Sequence, residues 1–248
     1  MKHLGGLCIG LALCLAPASC VQSPAPMAKS ASPHLTIYHL EGRRSERIVW
    51  LCEELGLPYK LEFKRGDLTG SMNAIRAISP LMPVAPTVIY HGQVLTESAA
   101  IMQLILDREG GGRLIPKVES PDYPSHLLWM HFSEGSLAAD VIADYRTARA
   151  TTNLAPRGEE TDGQRAMKFA DNFLATHQYF GGAEFSAADI MMWFPSDYAD
   201  RIKVADIAKY PNLAAWQDRM EARPAFQRML AVARPDGRVG SSPALKVE

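Results

Sequence analysis

The sequence predicts an α/β domain followed by an all-helical domain, and three observations carry that prediction. Strand-period and helix-period segments succeed one another between Leu35 and Arg108 in the order β-α-β, then α, then β-β-α. From Pro124 onward only helical periodicity remains. Between the two, Arg113 to Pro124 holds three prolines and no periodicity, the mark of a linker. The chain of 248 residues therefore divides into a leader and tether (1–33), an α/β domain (34–112), a linker (113–124), a helical domain (125–233) and a tail (234–248) rich in Gly, Pro and Ser.

Each element has its own signal. Leu35 to Leu40 alternates and carries Ile37 and Tyr38, as a strand does. A helix begins at about Ser45, with Ile48, Leu51, Cys52 and Leu55 at helical spacing, and Gly56 and Pro58 end it. Tyr59, Leu61 and Phe63 alternate as a second strand, so the first three elements make a parallel, right-handed βαβ unit. Gly66 to Ile78 is a polar connection with a short helix. Thr87–Tyr90 and Gln93–Leu95 flank His91-Gly92, a hairpin turn. Ser98 to Arg108 places Ile101, Leu104 and Ile105 on one side of a helix closed by Gly110-Gly111-Gly112. In the second half, Leu127–Ala150, Gln164–His177, Ser186–Asp200, Leu213–Ala222 and Pro224–Val232 read as helices.

Composition bounds the function. Hydrophobic residues make up 47% and charged residues 21%, ordinary for a globular chain, and a net charge of -1 gives no reason to expect nucleic acid or an acidic membrane surface. After the leader no apolar run approaches the ~20 residues needed to cross a bilayer. The leader itself has a basic start (Lys2, His3), an apolar stretch from Leu4 to Leu15, and a small-residue cleavage site at Ala16-Pro17-Ala18. Ala18-Ser19-Cys20 resembles a lipoprotein signal, with Pro17 where Leu is usual. The expected location is thus the cell envelope, periplasmic or lipid-anchored through Cys20; translation starting at Met27 would instead leave the protein cytoplasmic. Cys8, Cys14 and Cys20 lie in the leader and only Cys52 in the body, so no internal disulfide supports the fold. His126 and His131 are five apart and do not share a helical face, and no metal site is implied.

The densest chemical signal runs from Pro86 through the hairpin to Glu97-Ser98. A cis proline at Pro86 would turn the backbone of Ala85 outward to pair with an extended peptide. Glu97 and Ser98 at a helix start offer a carboxylate, a hydroxyl and unpaired N–H groups, which suit the ammonium and carboxylate of an amino-acid end. The competing reading is that Ser98 caps the helix and Glu97 favours its dipole.

This run resembles the glutathione-binding motif of the glutathione transferase family, whose fold joins a thioredoxin-like domain to a helical one. The resemblance implies that Ala85 and Pro86 meet the cysteinyl backbone of glutathione while Glu97 and Ser98 hold its γ-glutamyl end. Phe180 to Ile190, with the Ser186-x-x-Asp189 spacing, is similar to the family's helix-capping motif. Trp129 to Leu137 is similar to a stretch of one bacterial and fungal branch. Upstream, Pro80 to Pro86 is one residue longer than the family's usual Pro-x-Gly-x-x-Pro approach and lacks its Gly. Arg43 stands where that branch often has a catalytic Ser.

The implied chemistry is attack by the glutathione thiolate on a small hydrophobic electrophile, with glutathione as co-substrate and no metal. Tyr38, Ser45 and the cation of Arg43 are the candidates for stabilising the thiolate. Trp129, Phe132 and Tyr145 are candidates to line the electrophile pocket, although aromatics at helical spacing also build cores. A homodimer is expected by family analogy. Two other readings stay open, a glutathione-dependent reductase or peroxidase and a non-catalytic glutathione-binding or scaffold protein that keeps the fold.

Overall fold

A computed structural model describes residues 33–150 and 160–235. The leader with Cys20, the tether as far as Ser32 and the tail beyond residue 235 lie outside the described residues.

Four strands, β1 (Leu35–Tyr38), β2 (Lys60–Glu62), β3 (Thr87–Tyr90) and β4 (Gln93–Thr96), form one sheet in the order β2-β1-β3-β4. β1 runs parallel to β2 and antiparallel to β3, and β3 pairs with β4 as the expected hairpin. The crossover between β1 and β2 is α1 (Glu46–Leu55), ended by Gly56 at φ 66, whose N–H bonds the Cys52 carbonyl. The connection at 66–78 holds a longer helix than its polarity suggests, α2 (Leu68–Ile78). Asp67 starts it by accepting from the Gly70 N–H at 2.8 Å. α3 (Ser98–Glu109) follows the hairpin.

The helical half opens with α4 (Tyr123–Phe132), which begins inside the predicted linker because Pro124 sits in the first turn, where its missing N–H costs nothing. The single long helix expected from Leu127 to Ala150 is interrupted by a π segment, Ser133–Ala138, before α5 (Ala139–Arg149). Then come α6 (Asp162–Leu174), α7 (Ala187–Arg201), a 3-10 turn at Ile207–Lys209, α8 (Pro211–Glu221) and α9 (Pro224–Ala233).

The two halves share one core. Trp50 of α1 is buried among Phe226 (ring centroids 4.9 Å), Phe185 (5.8 Å) and Trp193 (6.3 Å), all from the helical half. Its indole N–H donates to Glu54 at 2.9 Å, and Glu54 in turn takes two bonds from Arg223 at 2.7 and 3.0 Å. One residue of α1 therefore ties the sheet domain to α7 and α9.

His126 supplies a second such tie, inside the helical half. Its Nδ1 lies 3.1 Å from the Ser186 hydroxyl, which also accepts from the Ala188 N–H at the start of α7. Burial pushes this imidazole down to about 4, so it stays neutral where an unfolded histidine, near 6.5, takes a proton. Between pH 6.5 and 4 the unfolded chain binds a proton that the native state refuses, and stability is lost on acidification through that window, by on the order of 2–3 kcal/mol. Asp189 and Asp197, both raised to about 6 by burial, act in the opposite sense. The comparison is therefore between two urea-midpoint curves, wild type and His126→Asn, across that pH range. The variant, whose amide oxygen can replace Nδ1, should show the flatter acid limb; parallel curves would show that the imidazole does not contribute.

Candidate functional site

The residues at the start of α3 meet those preceding β3 around a cavity of about 170 Å³, lined by Arg44, Val84, Ala85, Pro86, Glu97, Ser98 and Glu134. Ala85–Pro86 is a cis peptide bond, and the Thr87 hydroxyl donates to the Val84 carbonyl at 2.6 Å, holding the loop. All four motif residues named from the sequence, Ala85, Pro86, Glu97 and Ser98, line this one cavity.

Glu97 has φ 73, a conformation that costs a non-glycine residue about 1–3 kcal/mol and persists only where its surroundings fix it. Here β4 holds it from one side through the Thr87–Thr96 pairing, and α3 from the other, where the Ile101 N–H donates to the Glu97 carbonyl at 2.9 Å. Its carboxylate is exposed and makes no capping bond. Ser98 is 3% exposed, and its hydroxyl has one contact, a long one of 3.5 Å from Arg47 Nη1. The capping reading of Ser98 thus finds no hydrogen bond to support it.

A charge cluster backs the cavity. Arg44 Nε donates to both oxygens of Glu134, at 2.9 and 2.8 Å, and the buried Arg47 bonds Glu134 through Nη1 and the Met191 carbonyl through Nη2 at 2.7 Å. Burial pushes Glu134 up, but Arg47 and Arg44 outweigh it and hold the carboxylate below its usual range. Two guanidiniums thus flank the Glu134 carboxylate behind Ser98, and the exposed Glu97 lines the same cavity. The π segment contributes directly, since its wide turn carries Glu134.

The three candidates for thiolate stabilisation are placed differently. Tyr38 ends β1, is half-buried, and packs against the small cluster of Leu40, Leu68 and Ile75 that Ala85 also joins. Its hydroxyl has no hydrogen-bond partner among the described residues. Ser45 is fully buried, and its hydroxyl proton is committed. His39 Nε2 donates to the Ala233 carbonyl at 2.7 Å, and burial holds the ring neutral. That leaves Nδ1 to accept from Ser45 at 2.8 Å, while Ser45 Oγ accepts from the Leu40 N–H at 3.1 Å. Arg43 donates to the adjacent Gly42 carbonyl at 3.2 Å, and its electrostatic neighbours are Tyr198 and Arg201 of α7. None of Tyr38, Ser45 and Arg43 lines the cavity; the guanidinium that does is Arg44.

The aromatic candidates require a correction. Trp129 is 0% exposed, surrounded by Phe132, Phe169, Phe173 and Phe180, so it builds the helical core and cannot line a pocket. Phe132 is half-buried in the same cluster, and Tyr145 pairs with Arg149 at 2.9 Å; neither borders the motif cavity. Two larger concavities, of about 1040 and 900 Å³, lie along α6 and at the linker and contain none of the motif residues.

Arg44, Arg47 and Glu134 are the site residues that sequence reasoning missed. Glu134 lies inside the stretch Trp129 to Leu137 that the sequence singled out, and Arg44 follows the candidate Arg43, but their pairing across 90 positions leaves no local pattern.

Fold and site together define a two-part protein: a thioredoxin-like sheet whose cis-proline loop faces a helix start, joined to a helical half. The glutathione S-transferase N-terminal domain model matches residues 33–107, and the C-terminal domain model matches residues 154–224. Glutathione S-transferase 3 of Schizosaccharomyces pombe is 30% identical over 208 residues, covering 77% of this chain and 84% of that protein. The disulfide-bond oxidoreductase YfcG of Escherichia coli is 24% identical over 203 residues, covering 81% of this chain and 90% of that one. Among solved structures, the theta class glutathione S-transferase of Xanthomonas axonopodis pv. citri with glutathione bound superposes with a TM-score of 0.59 at 26% identity, covering 79% of this chain and 96% of that one. The chain belongs to the glutathione S-transferase family.

Proposed function

We propose that this enzyme binds glutathione in the cis-proline cavity and transfers its thiolate sulfur to a small hydrophobic electrophile. The observation that carries the reading is the convergence of Ala85, Pro86, Glu97 and Ser98 on one cavity with a cation, Arg44, on its wall. Glutathione is a zwitterionic peptide with two carboxylates, one ammonium and one thiol. The Ser98 hydroxyl and the free N–H groups of the first turn of α3 suit a carboxylate, and the exposed Glu97 suits the ammonium. The backbone of Ala85 suits the extended cysteinyl unit. The thiol must lose its proton to become the nucleophile, and each unit of pKa lowering needs ~1.4 kcal/mol. Arg44 on the cavity wall, held by Glu134, and Tyr38, whose phenol has no hydrogen-bond partner among the described residues and which packs beside Ala85, are the candidates for supplying it. The sulfur lone pair then forms the new C–S bond, and the electrophile's leaving group departs with the bonding pair.

Calorimetric titration of the leaderless protein with glutathione tests the site. Glu97→Ala is expected to weaken binding about fivefold, the size of an exposed charge-assisted contact. Tyr38→Phe should leave binding intact and cut turnover with a chlorodinitrobenzene about tenfold, the loss of thiolate that one unit of thiol pKa brings. Absence of binding by folded wild type would hand the reading to the non-catalytic scaffold. That second reading draws on Arg43 in place of Ser and on the longer Pro80–Pro86 loop. Binding with turnover of disulfides or hydroperoxides, but not of electrophiles, would make the enzyme a reductase or peroxidase. Envelope location, anchoring at Cys20 and a homodimer belong to the same proposal. Fractionation of the full chain against Cys20→Ala, and light scattering, test them; purely cytosolic protein would remove the export reading.

A further inference from the structure

We infer that His34, His91 and Glu109 form a binding site for a divalent transition-metal ion of the zinc type, at the end of the sheet remote from the cis-proline cavity. His34 immediately precedes β1, His91 is in the β3–β4 turn, and Glu109 is the last residue of α3. Pro86 and His91 stand at opposite ends of β3, so the site is separated from the cavity by that whole strand.

The donor atoms of the three side chains lie within 4.8 Å of one another. A tetrahedral zinc ion with bonds of ~2.0–2.1 Å holds its ligand atoms roughly 3.4 Å apart, so side-chain rotation of roughly 1 Å closes the site. Much of the arrangement is already fixed. The His91 N–H donates to the His34 carbonyl at 2.9 Å, which sets the register of the two histidines. Their rings stack with centroids 4.2 Å apart and planes at 18°, so one ring must turn about χ2 before both in-plane lone pairs converge on one ion. His34 Nε2 lies 2.8 Å from Glu109 Oε1. A metal at Nε2 takes the place of the hydrogen bond to Glu109, and the ligating neutral ring then carries its proton on Nδ1.

Two further features fit a ligand set. His91 has φ 47, a left-handed turn position that asparagine, aspartate and histidine adopt more readily than other non-glycine residues, so the hairpin holds an imidazole there at modest cost. The Tyr90 ring packs edge-on against both imidazoles, with centroids 5.6 Å from His34 and 4.6 Å from His91, an outer contact that limits how the rings can turn. Arg108 lies 5.9 Å from the Tyr90 ring centre, and its charge opposes a cation, which sets the affinity nearer micromolar than that of closed structural zinc sites. Two imidazoles and one carboxylate select zinc, cobalt, nickel or copper over magnesium and calcium, and leave a coordination position for water. Sequence spacing did not reveal the site because its three ligands come from separate elements.

The probe is Co²⁺ titrated into the metal-free full chain, followed by competition with Zn²⁺. One equivalent should bind with a visible ligand-field spectrum that zinc abolishes, and zinc should raise the melting temperature. His91→Asn keeps the left-handed turn and removes a ligand, and Glu109→Gln removes the carboxylate. Each should weaken cobalt binding at least tenfold and abolish the zinc-dependent melting shift. Binding that persists unchanged in both variants would overturn the assignment. So would a sulfur-to-metal charge-transfer band, which would place the ion on Cys8, Cys14 and Cys20, and so would the absence of saturable binding.

Discussion

Asp189→Ala is expected to destabilise the protein by about 4 kcal/mol. Asp189 is fully buried; Oδ1 accepts from the Phe180 N–H at 2.8 Å and the Trp216 indole N–H at 2.9 Å, and Oδ2 from the Ser186 N–H at 2.9 Å. Alanine leaves those three donors buried and unpaired, each at about 1–3 kcal/mol. Part of that loss is offset, because burial lifts the carboxyl to about 6 and its charged form is costly at neutral pH. The net loss corresponds to a melting temperature lower by about 10 °C in a chain of this size. Urea and thermal unfolding at pH 7 measure it, and a variant within about 0.5 kcal/mol of wild type would show that the network is dispensable. Asp189→Asn, which keeps one acceptor, should fall between the two.

The second large effect belongs to Ser98. Its hydroxyl is buried, has no capping role, and sits at the N-terminus of α3 beside two guanidiniums. A hydrogen bond to a charged carboxylate contributes about 1.5–3 kcal/mol, so Ser98→Ala should weaken glutathione binding about 10–100-fold while moving stability little. Calorimetric titration beside a melting curve separates the two quantities. Unchanged affinity with a lowered melting point would return Ser98 to a structural role.

These two residues differ in how far the sequence reached them. The Ser186-x-x-Asp189 spacing is local, since a helix start needs acceptors at fixed offsets, and the reading of that motif as a folding element follows from it. What Asp189 holds beyond its own helix, the Trp216 indole of α8, has no signature in spacing. Ser98 could be placed at the helix start, but its capping and binding readings share one sequence. The observed hydrogen bonds include no cap from Ser98, and titration tests the binding reading.

The same division runs through the catalytic candidates. Ser45 reads as a free hydroxyl at a helix start until the structure shows its proton given to His39, whose other nitrogen is held by Ala233, 194 positions away. Arg43 and Arg44 are adjacent and alike in sequence; one turns toward α7 and the other lines the cavity. Trp129 follows helical spacing that serves a core and a pocket equally, and only the four phenylalanines around it decide for the core.

By itself the sequence determined the order of elements, the division into a sheet half and a helical half, the hairpin, the helix cap and the grouping of Pro86 with Glu97 and Ser98. All of these are written in contacts a few residues apart, in periodicities of two and 3.6 and in the fixed offsets of turns and caps. The tertiary structure alone decided which cation faces the cavity, where each hydroxyl proton goes, and that His34, His91 and Glu109 meet. Those outcomes rest on pairings between distant segments, where burial and geometry choose among side chains that local pattern leaves equivalent.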